Sequence, residues 1–295
     1  MDTLVEPFQY GFFRHAIEVA TVAGALCGLV GVYVVLRGMS YIGHGLSHAI
    51  FGGAVASYVT KINFYVGAGL WGIVSALLIN KVARRRTIGA DAAIGVVTTA
   101  SFAVGLALIS RFGGFTRNFE AALFGNVLGV TATDVWVVVG VALFAAAVVF
   151  FCYRELLFTT FDPEVAEISG VKTGRFDALL AVTLAATITA TMNVLGVTLI
   201  AATLVIPAVT ARLLTNRFAL MLGLSVGLGA VCGFVGVYGS YYLNISSGAS
   251  VVLTGVLLFA IAFVASGPTR VLPSGLRSES DVDSVPLPRE PSRSV

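Results

Sequence analysis

Apolar runs of about twenty residues recur along this chain, separated by short polar breaks, and a helix of roughly that length crosses about 30 Å of hydrocarbon. The pattern predicts helical spans over 16–36, 41–60, 62–80, 92–110, 133–152, 176–192, 194–212, 218–240 and 248–266. That makes nine, or eight if one run is a broken or re-entrant helix. The weakest runs are 41–60, which holds four glycines, and the tight pair flanking Asn193. Segment 119–130, FEAALFGNVLGV, is too short to cross and reads as re-entrant or interfacial. Irregular backbone at that depth persists only where protein or a water-filled cavity covers it.

Composition strengthens this reading. Of 295 residues 57% are hydrophobic and 11% charged, with mean hydropathy +0.95. A soluble domain carries about 25% charged residues. The fold class is therefore all-α: a polytopic transmembrane helical bundle. No basic n-region precedes the first run, since Asp2, Glu6, Arg14 and His15 lie within the first fifteen residues. That run is expected to remain as a span. The isolated Cys27, Cys152 and Cys232 read as small hydrophobic core residues.

The basic residues orient the bundle. With the loop KVARRR at 81–86 taken as cytoplasmic, 14 of the Lys and Arg residues fall inside and 4 fall outside. The N-terminus is then outside and the C-terminus cytoplasmic, in a cell membrane. If the first segment is interfacial, only the N-terminus changes sides. Three regions result: an extracytoplasmic or interfacial segment 1–15, a transmembrane body 16–266, and a tail 267–295 rich in Ser, Pro and charge. Such a tail cannot bury a core, and its composition predicts disorder.

The loop 153–175, YRELLFTTFDPEVAEISGVKTGR, is the longest internal polar segment. Asp162 suits a helix N-cap, Pro163 the first helical position, Glu164 the positive helix end and Gly170 the stop. A short helix about two turns long is expected. Composition leaves open whether it is a connector or a docking helix.

Candidate chemistry centres on His44 and His48 in YIGHGLSHAIFGGAVASYV. A spacing of four places them on one helix face, a turn apart. Two imidazoles so placed can ligate one transition metal. The alternative is a pair of neutral histidines hydrogen-bonded to backbone. Ionisable groups are costly within hydrocarbon and mark function there. The HExxH likeness of His44-Gly45-Leu46-Ser47-His48 fails, because glycine replaces the glutamate that serves as general base. Gly170-Val171-Lys172-Thr173 lacks the phosphate-loop pattern, so any ATP must be bound by another chain. Pro207 should kink its helix and free a carbonyl that either faces a pathway or only accompanies packing. Asn193 either lines a pore or caps a helix hairpin.

Six blocks in order resemble the manganese/zinc/iron ABC permeases: LRGMSYIGHGLSHAIFGGAVASYV, DAAIGVVTTASFAVGLALIS, ALFGNVLGV, YRELLFTTFDPEVAEISGV, LGVTLIAATLVIPAVTARLLT and YYLNISSGASVVL. They span nearly all of 30–266. The resemblance implies a type II ABC importer-like permease with 8–9 spans, paired with a second copy or a paralogue, and a pathway at their interface. It implies cytoplasmic ATPase subunits and an extracytoplasmic metal-binding protein, either a lipoprotein or a periplasmic protein. The chain would be a transport subunit, not an enzyme, in contact with lipid and not nucleic acid. No cofactor would be held permanently, and the cargo would be a divalent Zn, Mn or Fe ion. The family's coupling helix corresponds to Asp162, Pro163, Glu164, Glu167 and Gly170. Ser47, Asn193 and Pro207 fall in its pathway-lining elements. His48 matches the family's histidine. The family's usual aspartate four residues earlier is here His44, which makes the pair softer and argues against Mg²⁺ or Ca²⁺.

These readings predict alternating access: a binding protein docks around 111–131 and 239–250, the imidazoles contact the ion, and ATP binding to a partner pulls on 162–170. The rival is a proton-coupled secondary transporter. It needs an intramembrane carboxylate relay, for which the sparse membrane Asp and Glu give little material.

Overall fold

The structure, a computed structural model, describes residues 6–83, 89–112, 125 and 129–266. The tail 267–295, the Arg84–Arg86 stretch and most of segment 119–130 lie outside the described residues. Among the described residues, a 3₁₀ turn at Glu6–Gln9 is followed by eleven α-helices and no strand. They are α1 Gly11–Leu36, α2 Ser40–Thr60, α3 Phe64–Ala83, α4 Ala90–Phe112, α5 Ala132–Phe151, α6 Tyr153–Phe161, α7 Pro163–Ile168, α8 Thr173–Leu195, α9 Ile200–Leu214, α10 Phe218–Leu243 and α11 Ser247–Ser266.

Seven of the eleven are long and apolar enough to cross a membrane: α1, α3, α4, α5, α8, α10 and α11. Two of the predicted runs fall short. Helix α2 has 21 residues, but its glycine, serine and histidine content makes it less apolar than those seven. Helix α9 has only 15 residues, about 22 Å of helix. Its predicted run began at 194, yet α8 continues to Leu195 and stops at Gly196, whose φ of 81° breaks the helix. Residues 196–199 then form a turn before α9 starts. At the other extreme, α1 begins at Gly11, so residues 11–15 belong to the first long helix and not to a separate segment.

The helices sort into an inner pair and an outer ring. In α1 and α8, 72% of the most apolar window is buried, against 22–28% in the other five long helices. Helix α1 packs most extensively on α10 and also on α9 and α5, and α8 packs on α3 and α5. Outer helices turn Val74, Phe150 and Val264 outward, as suits contact with acyl chains. Several polar side chains inside the bundle find partners nearby. Thr183, Thr187 and Thr191 of α8 each donate a 2.8 Å hydrogen bond to the carbonyl four residues earlier. The hydroxyl of Ser225 on α10 donates to the carbonyl of Gly28 on α1 at 2.7 Å. The threonine bonds satisfy each hydroxyl within its own helix, and the serine bond joins α10 to α1. All three cysteines are free, with Cys27 and Cys232 buried.

Polar side chains also gather at the two ends of the bundle. At one end, Tyr65 of α3, Asn193 of α8 and Asp134 of α5 meet. At the other, Arg37 after α1 meets Thr159 and Thr160 of α6 and Asp177 of α8.

Candidate functional site

Helix α2 starts from a tight link. The chain leaves α1 at Arg37, turns through Gly38 with φ of 67°, and re-enters helix at Ser40. His44 and His48 therefore stand in the half of α2 nearest the Arg37 end. The imidazole centroids are 4.6 Å apart with planes at 77°. His48 also meets the edge of Phe102 on α4, with centroids 5.6 Å apart. Beyond these turns α2 is buried against α3 and α4. One turn past His48 the histidine stripe closes on α4, and the approach needs glycine: a Cβ on Gly52 would lie 2.3 Å from the carbonyl oxygen of Ser101. The stripe is open at its start. Tyr41 and His44 are exposed and His48 is half-buried in the single chain.

Two imidazoles at this spacing supply two of the four to six donors a transition metal takes. Among the described residues no group of three or more His, Cys, Asp or Glu side chains gathers to hold an ion. The donor set fits a site completed from outside the chain. The other sequence candidates are placed differently. Ser47 is fully buried, and its hydroxyl donates to the carbonyl of His44 at 2.8 Å, within its own helix. Pro207 is buried in α9, the helix whose Leu204 packs against Gly43 of α2. Its missing N–H releases the carbonyl of Thr203 from the helix ladder. Asn193 lies by the far end of α2. Its amide donates to the Tyr65 hydroxyl at 3.1 Å and to Asp134 at 3.4 Å.

Asp134 stands in the first turn of α5. In the structure it closes a capping box with Thr131, accepting from the Thr131 backbone N–H at 2.7 Å and from its hydroxyl at 2.6 Å. The Tyr65 hydroxyl donates to the same carboxylate. The Thr-x-x-Asp spacing was the available signal for the cap. Nothing local foretold Tyr65, or that Asn193 would meet Asp134, since these residues come from distant parts of the chain.

The loop helix forms as α7. The Asp162 side chain accepts from the Val165 N–H at 3.0 Å, and Pro163 occupies the first helical position. At its end the Gly170 N–H bonds the Glu167 carbonyl and the Val171 N–H bonds the Ala166 carbonyl, both at 3.0 Å. Gly170 has φ of 84°. These features define a Schellman stop, which glycine favours. Ala166 is the residue that faces inward, buried completely. Glu164 and Glu167 are exposed. So are Phe161, Val165 and Ile168, Ile168 at 86%. Val165 and Ile168, three residues apart, share one face of α7. Phe161 ends α6 on the other side of the non-helical Asp162, and its ring meets Phe218.

The chain matches the ABC 3 transport family over residues 9–266. It is 38% identical over 264 residues, 90% of each chain, to the manganese transport system membrane protein MntC of Halalkalibacterium halodurans. It is 35% identical to the manganese import system permease protein ScaB of Streptococcus gordonii, covering 90% of this chain and 95% of that one. The solved structure of PsaBC from Streptococcus pneumoniae in complex with Fab superposes with a TM-score of 0.80 at 32% identity, covering 88% of this chain and 94% of that one. A family match across nearly the whole apolar body, relatives above 30% identity and a shared helical fold agree: this chain belongs to the ABC 3 transport family.

Proposed function

We propose that the chain is the membrane permease subunit of an ATP-driven importer of divalent transition-metal ions, with manganese, zinc and iron as the cargo class. The observation that carries this is the imidazole pair of α2, 4.6 Å apart at the open start of an otherwise packed helix. A second permease copy related by a two-fold axis would present the same face in return, bringing four imidazoles to one path. The relatives named as manganese transport and import permeases support the cargo class. His48 carries the contact, with His44 as its neighbour on the helix. Imidazole donors disfavour Mg²⁺ and Ca²⁺.

The exposed Val165 and Ile168 of α7, with Glu164 and Glu167 beside them and Phe161 just before the cap, form the surface for a separate ATPase subunit. Capping by Asp162, Pro163 and Gly170 holds that surface in one shape. In this arrangement the Arg37 end and the C-terminus face the cytoplasm, the side on which most Lys and Arg residues fall. The Asp134 end faces outward, where an external metal-binding protein releases the ion. With one or both of α2 and α9 added to the seven, the bundle crosses the membrane eight or nine times. Ser47, Asn193 and Pro207 flank the route and do not hold the ion. Alternating access follows: ATP binding to the partner moves α7, and the walls around the imidazoles reorient. Binding there is weak, because tight binding would trap the ion.

A proton-coupled carrier would need carboxylates strung between the two ends. Asp134 and Asp177 instead sit at opposite ends, each hydrogen-bonded to its own neighbours. The test is metal-stimulated ATP hydrolysis and uptake by the reconstituted permease–ATPase complex with manganese, zinc and iron in turn. Stimulation by one or more of them is expected. Uptake driven by a proton gradient without ATP would overturn the reading.

A further inference from the structure

We propose that Arg37 is a positioning residue that carries movement of the α7 surface to the histidine helix α2. This rests on the reading that α7 docks an ATPase. The Arg37 guanidinium makes contacts on both sides of α7 in the chain. Before α7, its Nε donates to the Thr160 hydroxyl at 3.1 Å and its Nη2 to the Thr159 hydroxyl at 3.0 Å. After α7, its Nη1 pairs with the Asp177 carboxylate at 2.6 Å. The Arg37 side chain is only 11% exposed, so these bonds form largely out of water. Thr159 and Thr160 spend their own protons on the Leu156 carbonyl, at 3.2 and 2.6 Å. Their oxygens are thereby left to accept from arginine.

On its other side Arg37 is joined to α2 with no slack. The backbone N–H groups of Arg37, Gly38 and Met39 bond the carbonyls of Tyr33, Val35 and Val34 at 3.0–3.1 Å. Ser40 begins α2, and His44 follows one turn later. A pull on α7 that drags α6 and α8 therefore loads the guanidinium and, through three hydrogen-bonded residues, the base of the histidine helix. A cavity of about 270 Å³ lies beside this strut, lined by Arg37, Met39, Ile42, Thr159 and Asp177. It gives the strut room to shift. The planar fork is what allows one side chain to hold three partners, and a lysine ammonium has no such geometry.

The experiment uses the permease–ATPase complex in proteoliposomes and reads Mn²⁺ ions taken up per ATP hydrolysed. Two double variants are compared: Thr159→Val with Thr160→Val, which keeps side-chain volume and removes both acceptors, and Thr159→Ser with Thr160→Ser, which keeps the acceptors and removes volume. Arg37→Lys is the third variant. Docking is followed separately by cross-linking a Glu164→Cys permease to the ATPase. The valine pair and Arg37→Lys are expected to cut ions per ATP about tenfold, the size of a typical coupling between sites. Cross-linking and basal ATP hydrolysis should hold within about twofold, and the serine pair should keep the wild-type ratio. The proposal is overturned if the valine pair and Arg37→Lys transport normally per ATP, if the serine pair fails like the valine pair, or if uptake falls only in step with lost cross-linking. Absence of the Glu164→Cys cross-link in the otherwise unaltered complex would instead remove the docking reading itself.

Discussion

The two ends of the bundle are both tied by buried polar side chains, yet they are built differently. At the Asp134 end, one carboxylate gathers Thr131 of its own cap, Tyr65 of α3 and Asn193 of α8. All of these belong to the long helices or their caps, so the cluster binds the bundle to itself. At the Arg37 end, one cation gathers Thr159, Thr160 and Asp177, which straddle a short helix with an exposed apolar face. That cluster binds the bundle to a surface awaiting something else. The first kind of tie resists motion and the second passes it on. An importer driven from one side of the membrane needs both.

The sharpest way to break this contrast is to damage each end and ask what is lost. Ile168→Glu places a charge on the exposed apolar face of α7. It is expected to weaken ATPase binding by about thirtyfold, in the range of an interface hot spot, while the melting temperature of the isolated permease stays put. Titration of the detergent-purified permease with its ATPase checks this. Asp134→Ala should behave in the opposite way. It strands the Tyr65 hydroxyl proton and opens the α5 cap, at a cost of about 1–3 kcal/mol, while the Asn193 amide keeps its bond to Tyr65. The melting temperature should drop with ATPase affinity unchanged, and equal losses from both variants would erase the distinction between the ends. A smaller effect is expected from Asp162→Ala, which removes the α7 cap and about 1 kcal/mol of local helix stability. Hydrogen exchange should quicken at the amides of 163–168 and remain unchanged in α8. Smallest is His44→Asp: uptake should persist within a few-fold while preference moves from zinc toward manganese, since carboxylate is the harder donor. Competition between the two metals in the uptake assay measures it.

Much of this was legible in the chain. Periodicity and length gave nine helical runs because each buries or lipid-exposes a continuous apolar surface, a property of local sequence. The α7 caps were readable for the same reason: Asp162, Pro163 and Gly170 act on backbone within four residues. The imidazole spacing was readable from helix geometry alone. What escaped was whatever depended on packing between distant segments. Arg37 and Asp177 stand 140 residues apart, and Tyr65 and Asn193 stand 128 apart. Arg37, Asp177 and Tyr65 carry no local mark of these pairings, and Asn193, read as a pore-lining or hairpin-capping residue, gives no sign of its partners. The division into inner helices α1 and α8 and an outer ring was equally hidden, because both classes are uniformly apolar and only contact tells them apart. Helix α9 was overextended because a glycine turn inside an apolar run leaves no polar mark.

The central claim is that the imidazole of His48 meets the transported ion. It is tested most directly by His48→Ala in the reconstituted complex, following Mn²⁺ uptake and metal-stimulated ATP hydrolysis together. The account predicts that both fall by about 10- to 100-fold, the usual cost of weakening a metal site, with the ATPase still bound at the wild-type ratio. Uptake and stimulation at the wild-type rate would show that the ion passes by another route.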